Sequence, residues 1–261
     1  MGCALDILPG MTNPFPCPVC GGASALLDVV DFNKSCEEMR GQFLPLSGAP
    51  IYYALCPDCG FCHAPEIAAW PLEEFERWIY NDDYAAIDPD YLQARPANNA
   101  ASLVSMFGHR APAIRHLDYG GGSGVLSRLL GQSGWQSASY DPYVDRGVPV
   151  SGLGRFDLIT AYEVFEHVPD ARQLMSDLRT LLAPDGVILF STLVSDGHIH
   201  PNQRLTWWYA APRNGHISLY SHKSLATLAA QSALRYATFS EGFHTFFSAV
   251  PPWARHLLGG G

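Results

Sequence analysis

A glycine-rich turn between two buried segments constrains the fold of this chain more than any other feature. The apolar segment 114–119 is typical of a short strand. Glycines then occupy positions 120–122 and 124, and segment 125–130 has the pattern of a helix start. A strand that passes through a glycine turn into a helix lets a ligand approach the backbone and presents unpaired amide groups to it. One strand-length later, Asp141 follows a second predicted strand, which is where an α/β nucleotide-binding fold holds a ribose. The sequence therefore predicts an α/β sheet that binds a nucleotide-like ligand.

The spacing of the glycines indicates which ligand this is. A dinucleotide-binding fold has G-x-G-x-x-G, and a phosphate-binding P-loop requires G-K-[S/T], but no lysine follows Gly124. Here Asp118 leads a D-x-G-x-G-x-G motif with Gly120, Gly122 and Gly124, and Asp141 adds a second acidic residue. This order resembles class I S-adenosylmethionine-dependent methyltransferases.

Three further segments resemble motifs of the same family, in the same order. Segment 156–161 resembles its fourth strand, segment 163–168 its E-x-x-E-H-V turn, and segment 183–189 its L-x-P-G-G turn, with Asp185 replacing the first glycine. The resemblance covers about residues 113–250. It implies an α/β fold with a doubly wound, Rossmann-like, seven-stranded sheet. The alternative is a nucleotide-type sheet that binds something else.

The resemblance also implies which residues bind the cofactor, S-adenosyl-L-methionine. Asp118 would order the loop and the cofactor's amine, and Asp141 would accept hydrogen bonds from the ribose hydroxyls. The acidic residue that usually contacts adenine after strand three is not evident, because segment 148–152 occupies that region. The complete set of expected cofactor-binding residues is Asp118, Gly120, Gly122, Gly124, Asp141 and Glu163.

Composition excludes several classes of protein. The 261 residues are 48% hydrophobic and only 16% charged, which is typical of a compact globular protein rather than a disordered one. No apolar run approaches the roughly 20 residues of a membrane span, and the N-terminus lacks the features of a signal peptide. We therefore expect a cytoplasmic protein without membrane contact. A net charge of −9 without a Lys/Arg cluster disfavours nucleic acid as a partner.

The cysteines predict a metal site near the N-terminus. Segments 17–21 and 56–60 are two copies of C-P-x-C-G, and all seven cysteines lie at or before Cys62. Two such knuckles supply the four thiolates of a tetrahedral structural zinc ion. A disulfide framework would require a secreted protein, and nothing here signals export. The sequence therefore predicts a zinc ribbon with an inserted loop, whose ligands are Cys17, Cys20, Cys56 and Cys59.

The remaining cysteines and one histidine have less defined roles. Cys62 and His63 adjoin the second knuckle, where they could substitute as ligands but are expected to pack beside it. Cys3 and Cys36 have no partner at a suitable spacing and are interpreted as ordinary thiols.

These features divide the chain into three parts. We expect a zinc-binding module over 1–66, a helical linker or lid over 67–108, and a class I methyltransferase domain over 109–261. Within the linker, segment 80–96 looks irregular and segment 98–107 is predicted to be helical. Its tyrosines are either lid residues over the cofactor or packed interdomain aromatics: Tyr80, Tyr84 and Tyr91.

The catalytic base is sought after the fifth strand. Segment 215–221 resembles the E-H-x-S-Y-F-S stretch of sugar C-methyltransferases, which also carry an N-terminal zinc module. Of that family's Tyr-His-Glu-His run only the last histidine is kept, as His216, while Arg213 and Gly215 stand where the family has Tyr and Glu. The resemblance implies that His216 is the base or a substrate anchor, and the departures favour oxygen over carbon as acceptor. His167, in the E-x-x-E-H-V turn, is the second candidate, or else a structural residue.

Other polar and aromatic residues after strand five leave alternatives open. Asp196, His198 and His200 form a D-x-H-x-H run that could bind a second metal or simply face solvent. Arg213 could hold a carboxylate or diphosphate of the substrate. The aromatic run 207–209 could stack on a sugar or aromatic ring, or belong to the core.

Taken together, the motifs predict an S-adenosylmethionine-dependent methyltransferase with a structural zinc ion. The expected acceptor is a small molecule, a sugar or sugar-nucleotide, methylated on oxygen rather than carbon. One alternative is a protein or RNA methyltransferase that uses the zinc ribbon for recognition. Another is a cofactor-binding assembly protein without turnover, which the intact glycine loop and His216 disfavour.

Overall fold

The computed structural model describes residues 14–259 apart from the side chain of His109, so Cys3 and the end of the glycine tail lie outside the described residues. The strands are β1 Phe15–Pro16, β2 Ala23–Asp31, β3 Pro50–Leu55, β4 Cys62–His63, β5 Arg115–Tyr119, β6 Gln136–Tyr140, β7 Phe156–Tyr162, β8 Leu182–Ser191, β9 Ser218–Leu219, β10 Arg235–Ser240 and β11 Phe243–Phe247. The α-helices are α1 Pro65–Ala68, α2 Leu72–Trp78, α3 Tyr84–Ile87, α4 Ala94–Phe107, α5 Val125–Gln132, α6 Ala171–Leu181, α7 His222–Gln231 and α8 Arg255–Leu258. Within this part of the chain, no helix combines the length and apolarity needed to cross a membrane.

The larger sheet has the predicted α/β arrangement. Its strands lie in the order β10-β11-β8-β7-β5-β6. Strands β6, β5, β7 and β8 are parallel, β11 is antiparallel to β8, and β10 is antiparallel to β11. Helices α5 and α6 connect parallel strands, as crossover connections require. The carboxyl ends of β5, β6 and β7 therefore meet at one edge, which is where such sheets bind ligands.

The predicted number of seven strands is not confirmed, because the described residues contain six strands in this sheet. Segment 148–152, between β6 and β7, forms a short 3₁₀ turn at Val150–Gly152. Pro149 precedes it and cannot donate to a strand ladder, and Gly147 has a φ of +80°. These two residues explain why the chain turns here.

Local sequence signals account for the starts of two helices. The side chain of Asp170 caps α6, and Ser221 forms a capping box with Ser224 at the start of α7. The linker differs from the prediction, since α4 begins at Ala94 rather than near Asn98. Pro96 is tolerated because the first turn of a helix has no acceptor for its backbone amide.

A smaller antiparallel sheet of order β1-β2-β3-β4-β9 forms the N-terminal part. Its last strand, β9, comes from the segment after strand β8 and pairs Ser218 with His63 and Leu219 with Cys62. The two sheets also share buried side chains, because Tyr220 after β9 packs on Phe165 after β7 with ring centroids 5.8 Å apart. We call residues 14–64 the cysteine module; its sheet is completed by a distant segment.

Candidate functional site

The glycine loop and Asp141 meet at the carboxyl edge of the larger sheet. Asp141 follows β6, and its Oδ2 accepts a hydrogen bond from the Gly122 amide at 2.9 Å while its Oδ1 accepts one from Tyr143 at 2.8 Å. Gly122 has a φ of +53°, and a Cβ there would have no heavy atom within 4 Å. The open space beside Gly122 leaves room for a ligand to lie against the loop. Gly120 and Gly124 also have positive φ.

Asp118 lies beneath this loop and is buried. Its Oδ1 accepts a hydrogen bond from the Thr160 hydroxyl at 2.8 Å. The pKa of Asp118 is raised to about 7, chiefly by burial and also by the neighbouring Asp141, against the hydrogen bond from Thr160, which lowers it. A cationic group of a ligand placed here would favour the charged carboxylate.

Glu163 follows β7 in an unusual backbone conformation. Its φ is +52°, which a residue with a Cβ rarely adopts. The Ser191 hydroxyl at the end of β8 accepts from the Glu163 amide at 2.9 Å and donates to Glu163 Oε1 at 2.6 Å. Strained residues of this kind concentrate at functional sites, and this one lies next to the predicted cofactor edge.

The structure brings the two predicted bases together. The rings of His167 and His216 are 4.9 Å apart and nearly perpendicular. Nδ1 of His216 lies 2.9 Å from the Tyr209 carbonyl oxygen, which can only accept, so Nδ1 carries the proton and Nε2 keeps a lone pair. Burial lowers the pKa of His216 well below its usual value and that of His167 to about 4. Both imidazoles are therefore neutral at pH 7.

A buried carboxylate completes this cluster. Glu166 is 0% exposed, and its Oε1 accepts a short hydrogen bond of 2.5 Å from the Tyr209 hydroxyl, whereas its Oε2 has no partner among the described residues. Burial raises the pKa of Glu166 well above its usual value. Glu166, His167 and His216 each place one potential ligand atom within 4.8 Å of the others. Such a set could share protons or hold a metal ion such as zinc.

An aromatic wall from the linker reaches His167. Tyr80 packs edge-on against Tyr84, Tyr143 and His167, at centroid distances of 5.2, 5.3 and 6.1 Å. Tyr84 packs in turn on Tyr91, whose side chain is partly exposed. The three predicted linker tyrosines are thus packed with one another, and Tyr80 connects them to the histidine pair.

Gly215 permits the close approach of Tyr80 and His167. Its φ is +87°, and a Cβ there would lie 2.9 Å from the Tyr80 hydroxyl and 3.1 Å from His167 Nδ1. The sequence signal for this contact was the glycine in place of the glutamate of the resembled motif, but only the structure shows what it touches.

Several predicted substrate contacts have other partners in the structure. The buried guanidinium of Arg213 donates to the Ile79 carbonyl oxygen at 3.0 Å and to Asn81 Oδ1 at 3.4 Å. Trp207 and Tyr209 are buried in the core. In the D-x-H-x-H run, Asp196 accepts from the His222 amide and His198 stacks on Trp207. Among the described residues this run does not form a group of metal ligands.

The four predicted cysteines form one cluster. Sulfur–sulfur distances are 3.6 Å between Cys17 and Cys59 and 3.5 Å between Cys20 and Cys56, and all four sulfurs lie within 4.8 Å of one another. Zinc–sulfur bonds of about 2.3 Å in a tetrahedron place sulfurs about 3.8 Å apart, so this donor set fits zinc.

The neighbouring residues lie outside this set. Cys62 is buried in the adjacent core and His63 stacks on Phe61, so both pack beside the cluster. Cys36, expected to be an isolated thiol, has its sulfur 3.7 Å from His216 Nδ1.

The sequence is similar to known proteins over more than half of its length. Residues 73–237, more than half of the chain, match the sequence model of a family described as a methyltransferase domain. The ubiquinone biosynthesis O-methyltransferase of Actinobacillus pleuropneumoniae serotype 7 is 29% identical over 160 residues, covering 47% of this chain and 63% of that protein. The protein of the same name from Histophilus somni is 49% identical over 158 residues, covering 47% and 62%. The chain thus spans less than two thirds of the length of these relatives.

Two solved structures are similar over most of this chain. Human N-acetylserotonin methyltransferase has a TM-score of 0.49 at 15% identity and covers 71% of this chain and 62% of its own. The 1,6-didemethyltoxoflavin-N1-methyltransferase of Burkholderia thailandensis has a TM-score of 0.47 at 18% identity, covering 73% and 95%.

Proposed function

Given that this chain belongs to the methyltransferase domain family and is an S-adenosylmethionine-dependent methyltransferase, we propose that it methylates an oxygen atom of a small molecule. The observation that carries this proposal is the convergence of the His167–His216 pair with Glu163 and the Gly122–Asp141 contact at one edge of the sheet. In this proposal, a methyl donor bound at the loop and a proton acceptor in the histidine pair serve one acceptor atom.

The cofactor-binding roles follow from the positions of the loop residues. Gly120, Gly122 and Gly124 would receive the amino-acid end of the cofactor, where the space beside Gly122 is open. Asp118 would face its ammonium group, and Asp141 would exchange its hydrogen bond with Gly122 for one to the ribose. Glu163, held by Ser191, would border the sulfonium end.

The acceptor is activated by removal of its proton. Bound S-adenosylmethionine supplies an electrophilic methyl group, so the protein has to position a hydroxyl and accept its proton. His216 Nε2 is the proposed acceptor of that proton. The Nδ1 proton of His216 is donated to the Tyr209 carbonyl, which leaves the free lone pair on Nε2. His167 lies beside it as the second candidate.

The chemistry of the wall favours an aromatic acceptor. Tyr80 packs edge-on against both His167 and Tyr143, and such an aromatic surface next to His167 suits a planar ring. The O-methyltransferase names of the relatives support oxygen as the acceptor atom. A sugar or sugar-nucleotide acceptor, as in zinc-containing sugar methyltransferases, stays a prediction, and its expected anchors Arg213 and Trp207 have other partners.

The cysteine cluster is proposed to hold one structural zinc ion through Cys17, Cys20, Cys56 and Cys59. The proposed division of the chain remains a zinc-binding module over 1–66, a helical linker or lid over 67–108 and a methyltransferase domain over 109–261. Because β9 from the last part pairs with β4 from the first part, the smaller sheet contains strands of both.

The test is an acceptor screen with mass-spectrometric detection. Purified protein and S-adenosylmethionine are incubated with phenols and catechols in one set and with sugars and sugar-nucleotides in another. We expect S-adenosylhomocysteine together with a methyl ether in the first set. A product in the second set alone would replace the aromatic acceptor by a carbohydrate, and methylation of neither set but of peptides or RNA would contradict the proposal.

A further inference from the structure

The cysteine module contacts the segment that carries His216 along its whole length. We call residues 207–221 the His216 segment. The module donates to this segment or accepts from it through these hydrogen bonds: Lys34 Nζ to the Trp207 carbonyl at 2.9 Å, the Arg213 amide to the Lys34 carbonyl at 3.2 Å, the Cys36 amide to Asn214 Oδ1 at 2.9 Å, and the Ala64 amide to the Ile217 carbonyl at 2.9 Å. Strand β9 lies within the same segment and pairs with β4.

Tyr53 holds the backbone of His216 from the cysteine module. It lies on β3, is 0% exposed, and its hydroxyl donates to the backbone carbonyl of His216 at 2.7 Å. On the other side of the same residue, the His216 ring donates to the Tyr209 carbonyl. The module thus holds the backbone of His216, while the ring donates within its own segment and also lies 3.7 Å from the sulfur of Cys36, a residue of the module.

A further contact links the segment to the cysteine cluster. The Ser221 hydroxyl, at the end of the segment, donates to the carbonyl oxygen of Cys59 at 2.5 Å. Cys59 is one of the four clustered cysteines, so this hydrogen bond attaches the end of the His216 segment directly to the second knuckle.

We propose that the cysteine module positions the proposed base of the acceptor site, and that Tyr53 is a positioning residue for His216. This inference rests on the proposed function only in that His216 acts on the acceptor. Loss of the Tyr53 hydroxyl leaves a buried carbonyl without its donor, and the His216 backbone moves to find another. A displacement of about 1 Å at a reacting group can cost about 100-fold in rate.

The test compares two neighbouring tyrosines of one strand. Tyr53→Phe removes the hydroxyl that contacts His216, while Tyr52→Phe removes a hydroxyl on the opposite face of β3, as alternation along a strand requires. For Tyr53→Phe we expect kcat to fall about 10- to 100-fold with unchanged affinity for S-adenosylmethionine. Tyr52→Phe should match wild type in both quantities.

Hydrogen exchange supplies a second readout that is independent of turnover. In Tyr53→Phe, amides of the His216 segment should exchange faster, whereas amides of residues 117–125 at the cofactor loop should not change. Equal behaviour of the two variants in kinetics and exchange would overturn the inference, and so would a loss of cofactor affinity in Tyr53→Phe. If the segment exchanges faster but His216→Ala retains wild-type turnover, the module does position the segment and the proposed base is wrong.

Discussion

Burial decides which side chains of the site carry charge. Burial lowers the pKa of His167 to about 4 and that of His216 well below its usual value, and it raises the pKa of Glu166. Both imidazoles are therefore unprotonated at pH 7, and the same burial makes each a weaker base than a free imidazole unless an anionic group lies beside it. One carboxyl oxygen of Glu166 lies within 4.8 Å of a ring nitrogen of each histidine, and its Oε2 has no hydrogen-bond partner among the described residues.

The first prediction concerns the base. His216→Ala should keep wild-type affinity for S-adenosylmethionine but lose roughly 10²–10⁴-fold in kcat, the usual contribution of general base catalysis. Steady-state kinetics on the acceptor found in the screen measures this, with His200→Ala as an exposed control. A His216 variant that turns over like wild type would transfer the proposed role to His167.

The second prediction concerns Asp118 and pH. Its pKa is about 7 in the folded protein and 3.8 is its ordinary value, so it favours folding below about pH 4 and this contribution is lost as pH rises through 7. Between pH 4 and pH 8, the unliganded wild type should lose on the order of 4 kcal/mol relative to Asp118→Asn, which cannot titrate. Chemical denaturation of both proteins across this range measures the difference. If the free energies of unfolding of the two proteins change with pH in the same way, Asp118 is charged over this whole pH range.

The third prediction separates contact from backbone strain at Gly215. Gly215→Ala places a methyl group against Tyr80 and His167, whereas Gly147→Ala introduces the same left-handed strain at φ +80° with no atom within 4 Å. Both variants should lose about 1 kcal/mol of stability from the backbone, but only Gly215→Ala should lose turnover. Thermal denaturation and kcat measure the two effects. Equal activity of both variants would mean that the Tyr80–His167 approach is unimportant.

At the scale of elements, the smaller sheet connects the cysteine cluster to the site. Strand β4 lies just beyond the second knuckle and pairs with β9, which follows His216 by two residues. The proposed zinc ion would contribute folding free energy through the four thiolates, because the ligands are not assembled in the unfolded chain. The same free energy would then stabilise the position of β9.

The fourth prediction is the metal content. Elemental analysis of purified protein should give one zinc per chain, and Cys20→Ser should lose the metal together with protection of β9 amides. Cys36→Ser is the matched control, since Cys36 lies in the same module outside the cluster, and it should retain zinc. Absence of zinc in wild type, or a Cys17–Cys20 disulfide under reducing conditions, would remove the metal assignment.

Elements marked by local signals were predictable from the sequence. The segment 114–141 was predicted as strand, glycine turn, helix and strand because each step has its own residue pattern, and the structure confirms β5, α5 and β6. Strand β9 was not predictable, since two residues carry no period and become a strand only beside β4. The early start of α4 was missed because Pro96 indicates a helix break unless it lies in the first turn.

At the scale of the whole molecule, the site is assembled from three distant parts of the chain. The linker contributes Tyr80, the edge of the larger sheet contributes His167, and the His216 segment lies between them and the cysteine module. The sequence predicted His167 and His216 separately but not that their rings meet, nor that Glu166 and Tyr209 form a buried pair. Such contacts depend on tertiary packing, and no local pattern encodes them.

The cofactor loop is the claim on which the rest of the account depends, and calorimetry with S-adenosylmethionine tests it most directly. Wild type should bind one cofactor per chain. Asp141→Ala should weaken binding about ten- to hundredfold, because hydrogen bonds to a charged group contribute roughly 1.5–3 kcal/mol. Gly122→Val should also weaken it by filling the space beside the loop, while Gly131→Ala, with open space in helix α5, should not. Wild-type affinity in both Asp141→Ala and Gly122→Val would contradict the account.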